Sequence, residues 1–160
     1  MSGIKEAKMN KKIKMTLATG DVVIEMLPEI APKHVARIAE LVKSGFYDGL
    51  TFHRVIDEFM AQAGCPLGNG TGGSGVKIPA EFSSETFSRG TVGMARAASP
   101  DSADSQFFIC TADCDFLDGK YTVWGRVISG MEHVDAIKKG DIRDNGHVKN
   151  PDKIIKMELM

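Results

Sequence analysis

Phe52-His53-Arg54-Val55-Ile56-Asp57-Glu58-Phe59-Met60-Ala61-Gln62 is the stretch whose reading decides the fold. Residues 52–56 alternate as a strand, Asp57 and Glu58 supply a tight turn, and residues 59–62 return as a second short strand. Period two sets Phe52, Arg54 and Ile56 on one face, and Met60 and Gln62 on one face of the return strand. A hairpin therefore gathers Arg54, Met60 and Gln62 on one surface. An arginine alone in a strand ordinarily packs its stem on the sheet and sends its head to water. A cation kept among apolar side chains needs another reason, because burying an unpaired charge is costly.

Short strands extend in both directions from this hairpin. Residues 12–17 alternate, Thr19-Gly20-Asp21 turns them, and residues 22–27 come back as a second hairpin. Pro32 fits the first turn of a helix whose stripe is Val35, Ile38, Ala39 and Val42, with Gly45 just past its end. Downstream, residues 91–95, 106–110 and 121–127 read as strands, the last holding Trp124. Met131, Val134 and Ile137 mark a second helix ended by Gly140. Residues 153–160 alternate Ile155, Met157 and Leu159 and close the sheet. About eight short strands, two isolated helices and no βαβ alternation argue for an antiparallel barrel with helices over its ends.

Gly70-Thr71-Gly72-Gly73-Ser74-Gly75 matches G-x-G-x-x-G letter for letter. A dinucleotide site needs a helix to open there. Val76-Lys77-Ile78-Pro79 is instead strand-like and then broken, so the run is expected to be a tight exposed loop.

The 160 residues form one domain by size, 42% hydrophobic and 26% charged, with a formal net charge of −1. That balance gives no global basic field for nucleic acid, and no apolar run reaches membrane-span length. Residues 1–10 read as a flexible tail and 11–160 as the domain. Lysines without an apolar stretch do not make a secretory signal. An odd set of cysteines, Cys65, Cys110 and Cys114, suits reduced thiols in a cytoplasm. Cys110 and Cys114 miss the metal spacing and His34, His53, His133 and His147 are scattered, so no metal and no cofactor are expected.

Phe-His-Arg-Val-Ile followed by Phe-Met-x-Gln, the glycine-rich run, Gly93-Met94-Ala95-Arg96-Ala97 and Ser105-Gln106-Phe107-Phe108-Ile109 together resemble the cyclophilin family of peptidyl-prolyl isomerases. The resemblance runs from about Lys12 to Leu159. It implies an eight-stranded antiparallel β-barrel capped by two α-helices. It also implies a monomer that acts on proline-containing peptides and client proteins, assisting folding.

Rotation of an Xaa-Pro amide breaks no covalent bond but crosses a barrier of about 18–20 kcal/mol. In the twisted state the proline nitrogen regains a lone pair, and a donor aimed at it binds that state best. A guanidinium is always charged and offers several N–H groups, which makes Arg54 the candidate, with Gln62 orienting it through its amide oxygen. By resemblance, Phe59, Met60, Phe108 and Leu117 wall the proline pocket. The main chain of Ala95 and Arg96 binds the peptide as an added strand, and Gln106 bonds the substrate backbone. Three rim residues depart from common family choices: Phe116 replaces Trp, Tyr121 replaces His and Arg96 replaces Asn. These departures imply weak cyclosporin binding.

Three other readings compete. A proline-peptide binding module without turnover would have no need of Arg54, Gln62 and Phe108 together. A hydrolase would use His53 with Ser99, Ser102 or Ser105 and Asp101 or Asp104, but no nucleophile elbow is present. Nucleic-acid binding through the lysine-rich start is opposed by the near-neutral charge.

Overall fold

The computed structural model describes residues 11–160. The expected tail, residues 1–10, lies outside them. Eight strands form one antiparallel sheet: β1 Lys12–Leu17, β2 Gly20–Met26, β3 Arg54–Ile56, β4 Met60–Ala63, β5 Thr91–Met94, β6 Phe107–Cys110, β7 Val123–Ser129 and β8 Lys156–Leu159. Their spatial order is β3-β4-β6-β5-β7-β2-β1-β8. The sheet curls until its two edges meet, but the seam is not a ladder. The chain just before β3 bonds the chain just before β8: Thr51 bridges Lys153, Phe52 N–H donates to Asp152 O (2.9 Å) and Ile154 N–H donates to Leu50 O (2.8 Å).

The two helices are α1, Pro32–Lys43, and α2, Met131–Asp135. Helix α1 opens on Pro32 with no local side-chain cap. Glu81 caps it from another segment, its carboxylate accepting from Lys33 N–H (3.1 Å) and His34 N–H (2.8 Å). Gly45, at φ +76°, turns the chain out of α1, where the expected stop stands. The buried stripe of α1 is His34, Val35, Ile38, Leu41 and Val42; it gains His34 and Leu41 over the expected set, while Ala39 is only half-buried. Helix α2 is shorter than its apolar spacing suggests, since Ile137 is buried just past its end.

Alternation along the strands makes two cores. Phe107 and Ile109 of β6 face the barrel interior with Ala61, Ala63, Val92 and Trp124, under α1. Phe108 and Cys110 face outward into a second cluster with Met60, Phe87, Cys114, Leu117 and Val123. A strand buried on both faces reads as an unbroken apolar run, as Phe107–Cys110 does.

His34 donates from Nδ1 to Glu81 Oε1 at 2.7 Å. Burial lowers the His34 pKa below 6.5 despite the opposing pull of Glu81, so the imidazole is neutral and the contact is a hydrogen bond rather than an ion pair. His53 is also buried, and burial lowers its pKa too. Folded imidazoles that resist protonation make the unfolded chain the better proton binder below pH 6.5. Stability should therefore be full above that pH and decline below it. Thermal melting from about pH 7.5 to about pH 5 checks this; a midpoint that rises on acidification contradicts it.

Candidate active site

The β3–β4 hairpin pairs Arg54 with Gln62, Val55 with Ala61 and Ile56 with Met60. Val55 and Ala61 point into the barrel; Arg54, Met60 and Gln62 share the outer face. Phe52 was expected on the face of Arg54, but it lies in the barrel core. The strand begins only at Arg54, so alternation does not extend back to Phe52. Next to the hairpin, β4 pairs with β6, setting Gln62 opposite Phe108 and Met60 opposite Cys110.

This surface encloses a cavity of about 130 Å³ lined by Arg54, Phe59, Met60, Gln62, Ala95, Arg96, Phe108, Leu117 and Tyr121. Met60, Phe108 and Leu117 are buried and form an apolar floor. Phe108 stacks on Phe87 (centroids 5.6 Å apart, 22° between planes) and meets the Tyr121 ring edge-on at 5.9 Å. The Arg96 guanidinium lies over the Tyr121 ring, 4.5 Å from its centroid, and donates to the carbonyls of Lys120, Ala97 and Ala98. Nine of the eleven expected site residues, all but Gln106 and Phe116, thus surround one cavity.

Gln106 and Phe116 stand outside that lining. Phe116 is 58% exposed and packs against Phe59 at 5.4 Å, a wall of the mouth rather than of the cavity. Gln106 lines an adjoining cavity of about 230 Å³ with the glycine-rich loop, Lys77 and Asp104; Gln62, Ala95 and Arg96 are shared by both cavities. That loop is irregular at residues 70–75, exposed at Gly70, Thr71 and Gly75 but half-buried at Gly72, Gly73 and Ser74, and no helix opens after it, so the nucleotide motif lacks its structural context. The expected strand at residues 76–79 is reduced to one bridge, Ile78 to Ala103.

Arg54 is held by neutral acceptors alone. Its Nε donates to Asn145 O (2.9 Å), Nη1 to Gln62 Oε1 (3.1 Å) and Nη2 to Asn145 Oδ1 (3.1 Å). Three of the five N–H groups are thereby fixed, leaving one on Nη1 and one on Nη2. Among the described residues Arg54 has no ion pair. Burial lowers its pKa from the ordinary guanidinium range, yet an arginine remains protonated at neutral pH. The result is a preorientated cation without an ion-pair partner among the described residues, set at a cavity with an apolar floor.

Sequence reasoning missed Asn145. It lies 91 residues from Arg54 and adopts φ +54° before Gly146, a turn signal that says nothing about a distant guanidinium. Asn145→Gly keeps the positive φ and the carbonyl but deletes Oδ1. It should lower kcat/KM by about tenfold, one hydrogen bond's worth of orientation, with unchanged circular dichroism. Unaltered turnover contradicts an orienting role for the Asn145 side chain.

The competing hydrolase constellation is not assembled. Asp104 accepts from Ser74 and Gly75, Asp101 from Ala80 N–H, and Ser105 donates to Gly64 O. None of these groups bonds His53.

The outer wall of the antiparallel barrel thus carries a fixed cationic donor over a small recess with an apolar floor, an arrangement suited to stabilising charge that develops on a bound ligand. A family model described as cyclophilin type peptidyl-prolyl cis-trans isomerase matches residues 12–159. A probable peptidyl-prolyl cis-trans isomerase of Brucella suis is 56% identical over 157 residues, covering 91% of this chain and 80% of that protein. Peptidyl-prolyl cis-trans isomerase B of Bacillus subtilis is 45% identical over 123 residues, covering 76% and 85%. Among solved structures, a cyclophilin type isomerase of Cryptosporidium parvum, crystallised in the presence of the dipeptide Ala-Pro, aligns with a TM-score of 0.84 at 26% identity over 93% of this chain and 98% of that one. A cyclophilin from Hirschia baltica shares the fold with a TM-score of 0.83 at 24% identity, covering 99% of this chain and 79% of that one. The chain belongs to the cyclophilin-type peptidyl-prolyl cis-trans isomerases, and it catalyses rotation about Xaa-Pro bonds in proline-containing peptides.

Proposed function

We propose that Arg54 carries the isomerisation by donating a free N–H to the proline nitrogen as the amide twists. The observation that carries this reading is the guanidinium itself, restrained on three N–H groups by Asn145 and Gln62 and free on two. In the planar ground states the nitrogen lone pair is delocalised and accepts poorly; in the twisted state it accepts well. A fixed donor therefore lowers the barrier without tightening ground-state binding. Phe59, Met60, Phe108 and Leu117 hold the proline ring and exclude water, which strengthens the contact. Ala95 and Arg96 hold the peptide main chain beside the cavity, with Tyr121 as the wall between Phe108 and Arg96. The Ala-Pro dipeptide of the Cryptosporidium parvum crystal makes an Ala-Pro tetrapeptide the first substrate to test. Exchange spectroscopy on that peptide should show accelerated cis–trans interconversion; an unaccelerated rate rejects the proposal.

In this reading the enzyme acts as a monomer and assists folding of client proteins. Three buried free thiols support a reducing compartment, the cytoplasm. Cyclosporin should bind weakly, since Phe116 offers an apolar face and no N–H. Phe116→Trp should tighten inhibition by about fivefold, the low end of the range for pairing one polar group, because this rim is half open to water. Tetrapeptide turnover should change little. Equal inhibition constants for the two proteins contradict the assignment.

A further inference from the structure

We propose that Gln106 is a positioning residue of Arg54, its amide direction set by the glycine-rich loop that Cys65 anchors. The inference rests on the reading of Arg54 as the catalytic donor. An unbroken line of hydrogen bonds joins the two ends. Gly72 N–H donates to Cys65 Sγ (3.2 Å), and Gln106 Nε2 donates to Gly72 O (3.0 Å) and to Gly70 O (2.9 Å). Gln62 Nε2 donates to Gln106 Oε1 (2.9 Å), and Arg54 Nη1 donates to Gln62 Oε1 (3.1 Å).

The line has a direction, and both of its ends impose it. A glutamine amide has two nearly isosteric ends, and Arg54, which only donates, accepts just the oxygen end of Gln62. NH₂ facing a guanidinium would set donor against donor. Gln106 holds the same choice from the other side, because two carbonyls, Gly70 and Gly72, accept both of its N–H groups. Its oxygen must then face Gln62, whose NH₂ turns toward it and whose oxygen turns toward Arg54. With both donors consumed, Gln106 has only an oxygen lone pair left for a substrate.

The two loop carbonyls owe their aim to Cys65. Its buried sulfur accepts from Gly72 and donates toward Asn69 Oδ1 (3.8 Å), which also accepts from Thr71 N–H (3.0 Å) and Thr71 Oγ1 (2.6 Å). Burial alone would raise the thiol pKa, but backbone N–H groups led by Gly72 hold it below its ordinary value, as expected of a sulfur gripped by donors. The match to a nucleotide motif is thus a by-product. Glycines here let two carbonyls converge on one side-chain amide.

The test measures kcat and KM separately on an Ala-Pro tetrapeptide for Gln106→Leu, Cys65→Ala, Cys65→Ser and Arg54→Ala. Gln106→Leu should lower kcat on the order of 100-fold, as for misplacement of a reacting group, with KM within about twofold. Cys65→Ala should lower kcat by about tenfold, whereas Cys65→Ser, which keeps an acceptor for Gly72, should stay within about twofold of wild type. A rise in KM at constant kcat would make Gln106 a substrate contact and overturn the proposal. Equal losses in the two Cys65 variants would also overturn it, by making the sulfur a packing group only. Full activity in Arg54→Ala would remove the reading of Arg54 instead, so the two failures are distinguishable. If Gln106→Leu does not fold, the Cys65 pair decides alone.

Discussion

Arg54→Ala should lower kcat/KM for an Ala-Pro tetrapeptide by roughly 100- to 1000-fold, the effect of losing one preorganised donor worth about 2.7–4 kcal/mol at the transition state. The fold should survive. Arg54 sits on the outer face of β3, bonded to Asn145 and Gln62, and its removal opens no void in the barrel core. Arg54→Lys should recover little, because an ammonium cannot satisfy Asn145 O, Asn145 Oδ1 and Gln62 Oε1 while still aiming a donor at the substrate. Near-wild-type turnover in either variant, with an unchanged circular dichroism spectrum, would mean that binding in the cavity suffices.

Gly93→Ala should damage the pocket from beneath. Gly93 lies beside Phe108 in the β5–β6 ladder. A Cβ there would stand 2.6 Å from Phe87 Cε1 and 2.7 Å from Phe108 Cζ, closer than such atoms can approach. Neither ring can yield freely, since the two stack on each other and Tyr121 closes the far side of Phe108. Overpacking of this kind costs about 1–3 kcal/mol of stability. The open direction for Phe108 is the proline cavity, so kcat/KM should fall by more than about tenfold through a raised KM, the signature of lost ground-state contacts. Adding Phe108→Leu should recover stability by making room, but not the binding surface. Chemical denaturation and steady-state kinetics on the three proteins check this. Unaltered KM in Gly93→Ala would contradict the role given to Phe108 as the cavity floor.

Most of the architecture was legible because period two is enforced wherever a strand has one face in the barrel. Residues 12–17, 91–95 and 106–110 were read within a residue or so of β1, β5 and β6. The reading failed where the chain changes partners. Ile155 was expected to alternate inward with Met157 and Leu159, yet it is exposed while Ile154 and Met157 are buried. The reason is the seam. Ile154 N–H bonds Leu50 O and Ile155 N–H bonds Thr16 O, so the chain passes from one partner to another within two residues and the alternation breaks there. Phe52 was misplaced for the same reason, lying in the seam before β3 begins.

The site divides along a similar line. Arg54, Met60 and Gln62 come together through the hairpin that sequence pattern captures, whereas Phe108, paired beside Gln62 across β4 and β6, is placed with them by family resemblance alone. Asn145 and Cys65 act through loops, where a backbone carbonyl or a sulfur makes the contact and residue type carries little signal. Phe116 shows the limit of position-by-position inference: it keeps its place near Phe59 but lines the mouth rather than the cavity.

Arg54 is where binding separates from rotation. The most direct measurement is exchange spectroscopy on an Ala-Pro tetrapeptide held saturated by wild-type or Arg54→Ala protein. Free peptide interconverts over tens to hundreds of seconds, too slowly for cross-peaks between its cis and trans signals. Wild-type protein should produce those cross-peaks. Arg54→Ala should shift the proline resonances by binding in the same cavity, yet leave cis and trans unconnected. Cross-peaks of equal strength with the two proteins would contradict the account.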